Sequence, residues 1–316
     1  MMPKQGYDSI IADNMALLHK ESCSAAERRL VQLKELAMKA VRSMSVIFGE
    51  NKADEFAALF DGTTDITDAP EEVYPYLTTQ KTVLDFTDRL TVCSFIADEL
   101  ETRGISLIDK LLSPKPHIGP ARIAYFRNAY ADAAFRIFSE VLDNPSVVYA
   151  SDFTAVCEEV YYGRADMCML PLDSSKDAKL ISFYRLIDKY ELSPIYSCDV
   201  TTPDGSVTTR YGLFKKSLSL PERSKLDEGD SCFFEFTLES DGGAALCDVL
   251  SAARSCGMSL YKVDSIPLTY KSGEFSCDII MKIGSFRGLN TFILFLTLSV
   301  PQYEPLGIYP HICTEE

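Results

Sequence analysis

Residues 121–175 read ARIAYFRNAYADAAFRIFSEVLDNPSVVYASDFTAVCEEVYYGRADMCMLPLDSS. Two periodicities alternate in this stretch. Ala121–Phe126 is strand-like, Tyr130–Leu142 is helical, and Val147–Tyr149 is a short strand. Phe153–Tyr162 is helical with Gly163 at its end, and Met167–Leu172 is an apolar strand. Short apolar runs bounded by turns, alternating with amphipathic helices, predict a parallel sheet with right-handed crossovers. Leu180–Tyr190 continues the pattern as a helix. Ile195–Val200 and Arg210–Lys215 are further strands around the turn Pro203-Asp204-Gly205.

Upstream the pattern is helical only. From Tyr7 to Phe48 there is neither Gly nor Pro. Leu30, Leu33, Ala37, Val41, Met44 and Phe48 recur at three- and four-residue steps, which lines one face of a helix. Gly49 is placed as its C-cap. Asp54–Phe60 reads as a short helix and Gly62–Thr79 as a polar loop. A third helix carries Val83, Phe86, Leu90, Cys93, Ala97 and Leu100 on one face, and Gly104 ends it before Ile105–Leu112. Ser113–Pro120 (SPKPHIGP) is rich in proline and reads as a linker.

Downstream, the charged stretch Pro221–Asp230 is a second linker. Then Cys232–Leu238 is a strand, Ala244–Cys256 a helix and Met258–Leu268 a strand. After a hairpin turn at Tyr270–Gly273 come the strand Phe275–Ile283, the helix Leu289–Leu298 and the strand Tyr303–Tyr309. The order is βαββαβ, a ferredoxin-like sandwich. The expected organisation is therefore an all-α domain over residues 1–113, an α/β lobe over 120–218 and a βαββαβ domain over 230–316.

Bulk properties exclude several functions. A chain of 316 residues at 47% hydrophobic and 24% charged is long enough for two or three domains with real cores. A net charge of −15 argues against binding nucleic acid, which takes clustered Lys and Arg. The ten cysteines form no CxxC pair and the three histidines are scattered, so no metal site is expected. No cofactor is expected either. The N-terminal MMPKQGYDS lacks the apolar core of a signal peptide, and the apolar run Phe292–Leu298 is too short to cross a bilayer. A cytoplasmic protein with reduced thiols and no membrane contact is the expectation.

Five short matches then fall in order: Ile123–Ala134 (IAYFRNAYADAA), Ala165–Ser175 (ADMCMLPLDSS), Thr208–Leu213 (TTRYGL), Lys262–Pro267 (KVDSIP) and Leu306–Pro310 (LGIYP). Together they resemble the prephenate dehydratase family with its C-terminal ACT regulatory domain. The resemblance implies that the lobe is of the periplasmic-binding-protein type and that the βαββαβ segment is an ACT domain. It implies an aromatic amino acid, phenylalanine by family habit, as effector. That effector would lie against Asp241, Gly243, Ala244, Ala245 and Leu246 of the first loop and Asp264 and Ser265 of the second strand. A helix N-terminus beside a glycine loop offers N–H groups to its carboxylate. ACT domains commonly pair, and the helix Leu289–Leu298 is more apolar than one buried face requires, so a homodimer through this unit is expected.

On the lobe, the resemblance puts Ser174 and Ser175 in the family's Pro-Ile-Glu-Asn-Ser turn and Thr209 and Arg210 in its Thr-Arg-Phe motif, as catalytic candidates. This sequence departs from the family at telling places. Ser174 stands for the catalytic Asn, Val207 for the Asn before Thr-Arg-Phe, Ala244 for the loop Gly and Ile266 for an Arg. The Gly-rich substrate loop is cut to Arg127-Asn128-Ala129-Tyr130-Ala131, and only a short turn fills the place of the second lobe. The N-terminal helices also resemble an all-α chorismate mutase. Arg28 and Lys39 stand eleven residues apart (39 − 28 = 11), close to three helical turns, so they share a face. Two readings follow from the resemblance: a catalytically lapsed relative that senses an aromatic amino acid, or a working prephenate dehydratase with or without chorismate mutase activity. Dehydration with loss of carbon dioxide needs an enclosed site. The missing lobe therefore favours the first.

Overall fold

The computed structural model describes residues 4–48, 85–103, 120–216, 221, 226, 232–239, 244–267, 275–300 and 303–313. The expected helices at Asp54–Phe60 and Ile105–Leu112, both linkers for most of their length, the loop residues Asp241 and Gly243 and the hairpin turn Tyr270–Gly273 lie outside them. The chain forms two compact units. One holds Met1–Lys52 with Ile66–Ile105; the other holds Ala53–Asp65 with Ser106–Glu316.

In the first unit, α1 (Lys4–Phe48) packs against α2 (Phe86–Thr102). The contact face of α1 is Leu33, Ala37 and Val41, a step of four residues. Leu30, expected on that face, is 52% exposed. On α2 the buried residues are Val92, Cys93, Ile96, Ala97 and Leu100, so the face is wider than the Cys93–Ala97–Leu100 stripe. Asp85 caps α2 by accepting from the Asp88 N–H at 2.8 Å.

The second unit is built on one ten-stranded mixed sheet. Its elements are β1 (Arg122–Phe126), α3 (Ala129–Val141), β2 (Ser146–Ala150), α4 (Phe153–Tyr161), β3 (Met167–Ser174), β4 (Ala178–Lys179), α5 (Ile181–Lys189), β5 (Ser193–Thr201) and β6 (Thr208–Lys215). They are followed by β7 (Cys232–Glu239), α6 (Ala244–Ser255), β8 (Ser259–Pro267), β9 (Phe275–Lys282), α7 (Phe286–Ser299) and β10 (Tyr303–Ile312). The strand order is β2-β1-β3-β6-β5-β10-β7-β9-β8, with β4 beside β3. Only β2, β1 and β3 form the expected parallel sheet. β6 runs antiparallel to both β3 and β5. The reason is local: Thr202–Val207 joins β5 to β6 as a tight turn, and a tight turn can connect only antiparallel neighbours. Gly205 holds φ +70° there, which a side chain would resist.

Alternating residues of the lobe strands point into two cores. Ile123, Tyr125, Met169 and Leu213 pack with Ala134 and Phe138 of α3. Ala124, Cys168, Leu170 and Phe214 pack with Val156 and Val160 of α4 and Ile187 of α5. Asn128 starts α3 by accepting from the Ala131 N–H at 2.9 Å, and Asp152 does the same for α4 with Ala155 at 2.8 Å.

The C-terminal segment has the expected βαββαβ order, with its strands arranged β10-β7-β9-β8. Phe234 and Phe236 of β7 pack on Phe292 of α7. Leu289, Phe292, Leu294, Phe295 and Leu296 are all buried within the single chain. The apolarity of this helix therefore requires no second copy to cover it. β10 joins the lobe by pairing parallel to β5 at His311–Ser197 and Ile312–Cys198. No helix among the described residues is long and apolar enough to cross a membrane.

Candidate functional site

The strand alternation that sends Phe234 and Phe236 toward α7 sends Phe233 and Glu235 to the opposite face. There the lobe supplies β3, β6 and α5. Arg210 of β6 is 4% exposed, and its guanidinium lies among carboxylates and aromatic rings. Its Nε donates to Asp199 Oδ1 at 3.3 Å, one terminal nitrogen lies 3.5 Å from Asp173 Oδ2, and the other donates to the Tyr261 hydroxyl. The cation also lies over the rings of Tyr261 at 4.6 Å and Phe233 at 5.7 Å. Burial disfavours its charge, but Asp173 and Asp199 outweigh that and hold its pKa above the ordinary guanidinium value.

The pairing continues in both directions. Lys262 Nζ lies 3.3 Å from Asp173 and 3.2 Å from Asp264. His311 Nε2 lies 3.6 Å from Asp199 Oδ2, and its Nδ1 lies 2.9 Å from the Ser197 hydroxyl. The result is a ladder of alternating charge, Asp199–Arg210–Asp173–Lys262–Asp264, with the His311 imidazole at its Asp199 end, running from β10 across the lobe to β8. Beneath it Glu235, 2% exposed, accepts from the hydroxyls of Tyr184 of α5 at 2.8 Å and Tyr309 at 2.5 Å. Burial first, and Glu235 second, push both phenols well above their usual pKa. They stay protonated and act as donors to the buried carboxylate.

The catalytic candidates divide across this geometry. Arg210 is at the centre of the ladder. Thr209, its neighbour in β6, is paired in register with Ser174 and Val200 and faces the other side of the sheet. Ser174 Oγ accepts from the Lys176 N–H at 3.2 Å, and Ser175 Oγ accepts from the Thr208 N–H at 3.0 Å. Both serines thus satisfy backbone donors at the β3 turn. Of the effector candidates, Asp264 is ion-paired to Lys262 and Ser265 is exposed. Leu246 lies on α6 and is half-buried, and Ala244 and Ala245 open that helix. Arg28 is exposed on α1 with its Nε donating to the Ser24 carbonyl at 3.1 Å, and the side chain of Lys39 lies outside the described residues. Among the described residues no cluster of three or more His, Cys, Asp or Glu is placed to hold a metal ion.

Asp173, Asp199, Glu235, Tyr184 and His311 were not singled out from the sequence. One signal was there to read: Glu235 interrupts Phe233-Phe234-Glu235-Phe236, an otherwise apolar strand, and a charge in such a place needs buried partners.

No family model and no curated protein matches this sequence. Among solved structures, prephenate dehydratase from Streptococcus mutans superposes with a TM-score of 0.48 at 18% identity, over 60% of this chain and 98% of that one. Prephenate dehydratase from Arthrobacter aurescens in complex with L-Phe gives 0.46 at 13% identity, over 60% of this chain and 90% of that one. GqqA, described as a novel type of quorum-quenching acylase, gives 0.49 at 19% identity, over 61% of this chain and 96% of that one. Scores below 0.5 at these identities describe a partial likeness of fold, and an activity has to be read from side chains instead.

Proposed function

We propose that this chain is a relative of prephenate dehydratase that no longer dehydrates prephenate and acts as an aromatic-amino-acid-responsive regulatory protein of aromatic amino acid biosynthesis. The observation that carries the reading is the state of Arg210. In the resembled motif an arginine beside the threonine serves an anionic substrate. Here its guanidinium is buried against Asp173, Asp199 and Tyr261. A substrate carboxylate would have to displace two carboxylates already paired with this cation, one of them, Asp173, largely enclosed, and separating so enclosed a pair is unfavourable. The turn between β5 and β6 adds support. It closes with Thr202 N–H donating to the Val207 carbonyl at 2.8 Å and leaves no chain there for a second wall.

The regulatory half rests on the βαββαβ segment and on the resemblance of its motifs to an ACT domain. The effector is an aromatic amino acid, phenylalanine first, held by the loop before α6 and by Asp264 and Ser265. The protein works as a homodimer through this segment.

Two assays on the purified full chain test the reading. With prephenate, no phenylpyruvate should form above the spontaneous background. With phenylalanine, tyrosine and tryptophan in turn, at least one should raise the melting temperature by several degrees, as saturating a folded-state site does. Turnover at ~1–1000 per second, lost in Thr209→Ala, would restore the enzymatic reading. An unchanged melting point with all three amino acids at millimolar concentration would remove the sensing role.

A further inference from the structure

We propose that His311 makes the join between the lobe and the C-terminal sheet proton-sensitive, because it competes with Arg210 for a single carboxylate, Asp199. The observation is geometric. The backbone join between the two parts is short: among the described residues β5 and β10 pair at His311–Ser197 and Ile312–Cys198. His311 is therefore a seam residue, and its ring packs on Phe233 at 5.2 Å. Asp199 offers Oδ1 to Arg210 at 3.3 Å and Oδ2 to His311 at 3.6 Å. The charged groups facing the imidazole are Asp199 of β5, Arg210 of β6 and Asp173 of β3. The Tyr261 hydroxyl of β8 completes the shell around Arg210.

With His311 neutral, Asp199 serves Arg210, and the imidazole is satisfied by the Ser197 hydroxyl at 2.9 Å. A proton on the ring places a second buried cation beside Arg210. Asp199, the most exposed member of the ladder at 36%, can follow it toward the ring and away from the guanidinium. Arg210 then keeps only Asp173, which it already shares with Lys262.

The direction of the effect follows from linkage. Burial first, with Arg210 adding to it, holds the His311 pKa below its ordinary value of 6.5, although Asp199 and Asp173 pull the other way. The closed seam thus binds fewer protons than the detached one. Its stability is complete above the ordinary imidazole pKa and declines as pH falls below it.

Amide hydrogen exchange on the full chain at about pH 7.5 and about pH 5.5, the span in which an imidazole changes charge, tests this. Protection factors, which already correct for the intrinsic pH dependence of exchange, should fall several-fold at residues 197–199 and 308–312 and hold in the β1–β2 pair. In His311→Gln, which keeps a neutral polar side chain, the fall should vanish. An equal fall in wild type and variant overturns the proposal. The wild type alone gives a second test, independent of whether the variant folds. In an NMR titration His311 should have its midpoint below the ordinary imidazole value of 6.5. A midpoint at or above that value also overturns it.

Discussion

Inside the lobe, α3 covers one side of the strands with Ala134 and Phe138, and α4 and α5 cover the other with Val156, Val160 and Ile187. Where the C-terminal sheet meets the lobe, the described residues form a small buried apolar cluster of Phe233, Ile280 and Tyr309. The rest of that face carries Arg210, Asp173, Asp199, Lys262, Asp264, Glu235 and His311. The lobe core is dry, whereas the junction is enclosed at Arg210 and Glu235 and opens toward water at Asp199 and Lys262, so the two regions are held by opposite means. Apolar packing is non-directional and tolerates many registers. An ion ladder has one working register, since Asp173 and Asp199 must each reach two partners. The lobe core therefore holds the fold together, and the junction fixes how the C-terminal sheet sits against it. Buried ion pairs add little net stability but are costly to break one member at a time.

The contrast can be broken from the apolar side first. Phe138 is fully buried, so Phe138→Ala should cost about 3–5 kcal/mol through lost transfer energy and the cavity left behind. Denaturant unfolding should show it as a lower midpoint, with the lobe and the C-terminal sheet melting together. Arg210→Ala comes next, at roughly 1–3 kcal/mol, because Asp173 and Asp199 lose the cation they share, a loss that water at the 36% exposed Asp199 partly offsets. Arg29 is the control. It pairs with Asp88 in the helical unit but is 48% exposed, so Arg29→Ala should leave the unfolding midpoint unchanged. Equal losses at the two arginines would show that burial is not what distinguishes the pairs.

A third substitution probes the seam itself. A Cβ on Gly307 would meet the Pro194 ring of β5 at 2.6 and 2.8 Å. The ring cannot rotate away, so Gly307→Ala should cost about 1–3 kcal/mol by overpacking. The loss should appear as weaker hydrogen-exchange protection in β10 and β5, with β1 and β2 unaffected. This close approach also gives a physical reason for a glycine within Leu306-Gly307-Ile308-Tyr309-Pro310, whose Tyr309 donates to Glu235.

Much of the architecture was legible in the sequence because it is set locally. Period-two and 3.6-residue patterns placed most strands and helices to within a few residues. The turn Pro203-Asp204-Gly205 was readable too, but the expectation of a parallel sheet passed over the antiparallel β5–β6 pair that a tight turn requires. The site was much less legible. Thr209, Arg210, Ser174 and Ser175 are adjacent in motif, yet the strand pleat separates Thr209 from Arg210, and backbone donors occupy both serine hydroxyls. Asp199 and His311 are ordinary residues in the sequence, distant along the chain, and acquire a role only when β10 reaches β5.

The amino-acid sequence by itself determined the helical unit, the βα alternation, the βαββαβ segment and the charge balance, since each depends on neighbours within a few residues. Only the tertiary structure decided that the lobe and the C-terminal segment share one sheet and that Arg210 is enclosed by Asp173, Asp199 and Tyr261. A charge in a strand reports that it needs a partner, but which partner it finds depends on contacts far apart in the chain, and those are fixed only when the two sheets close on each other.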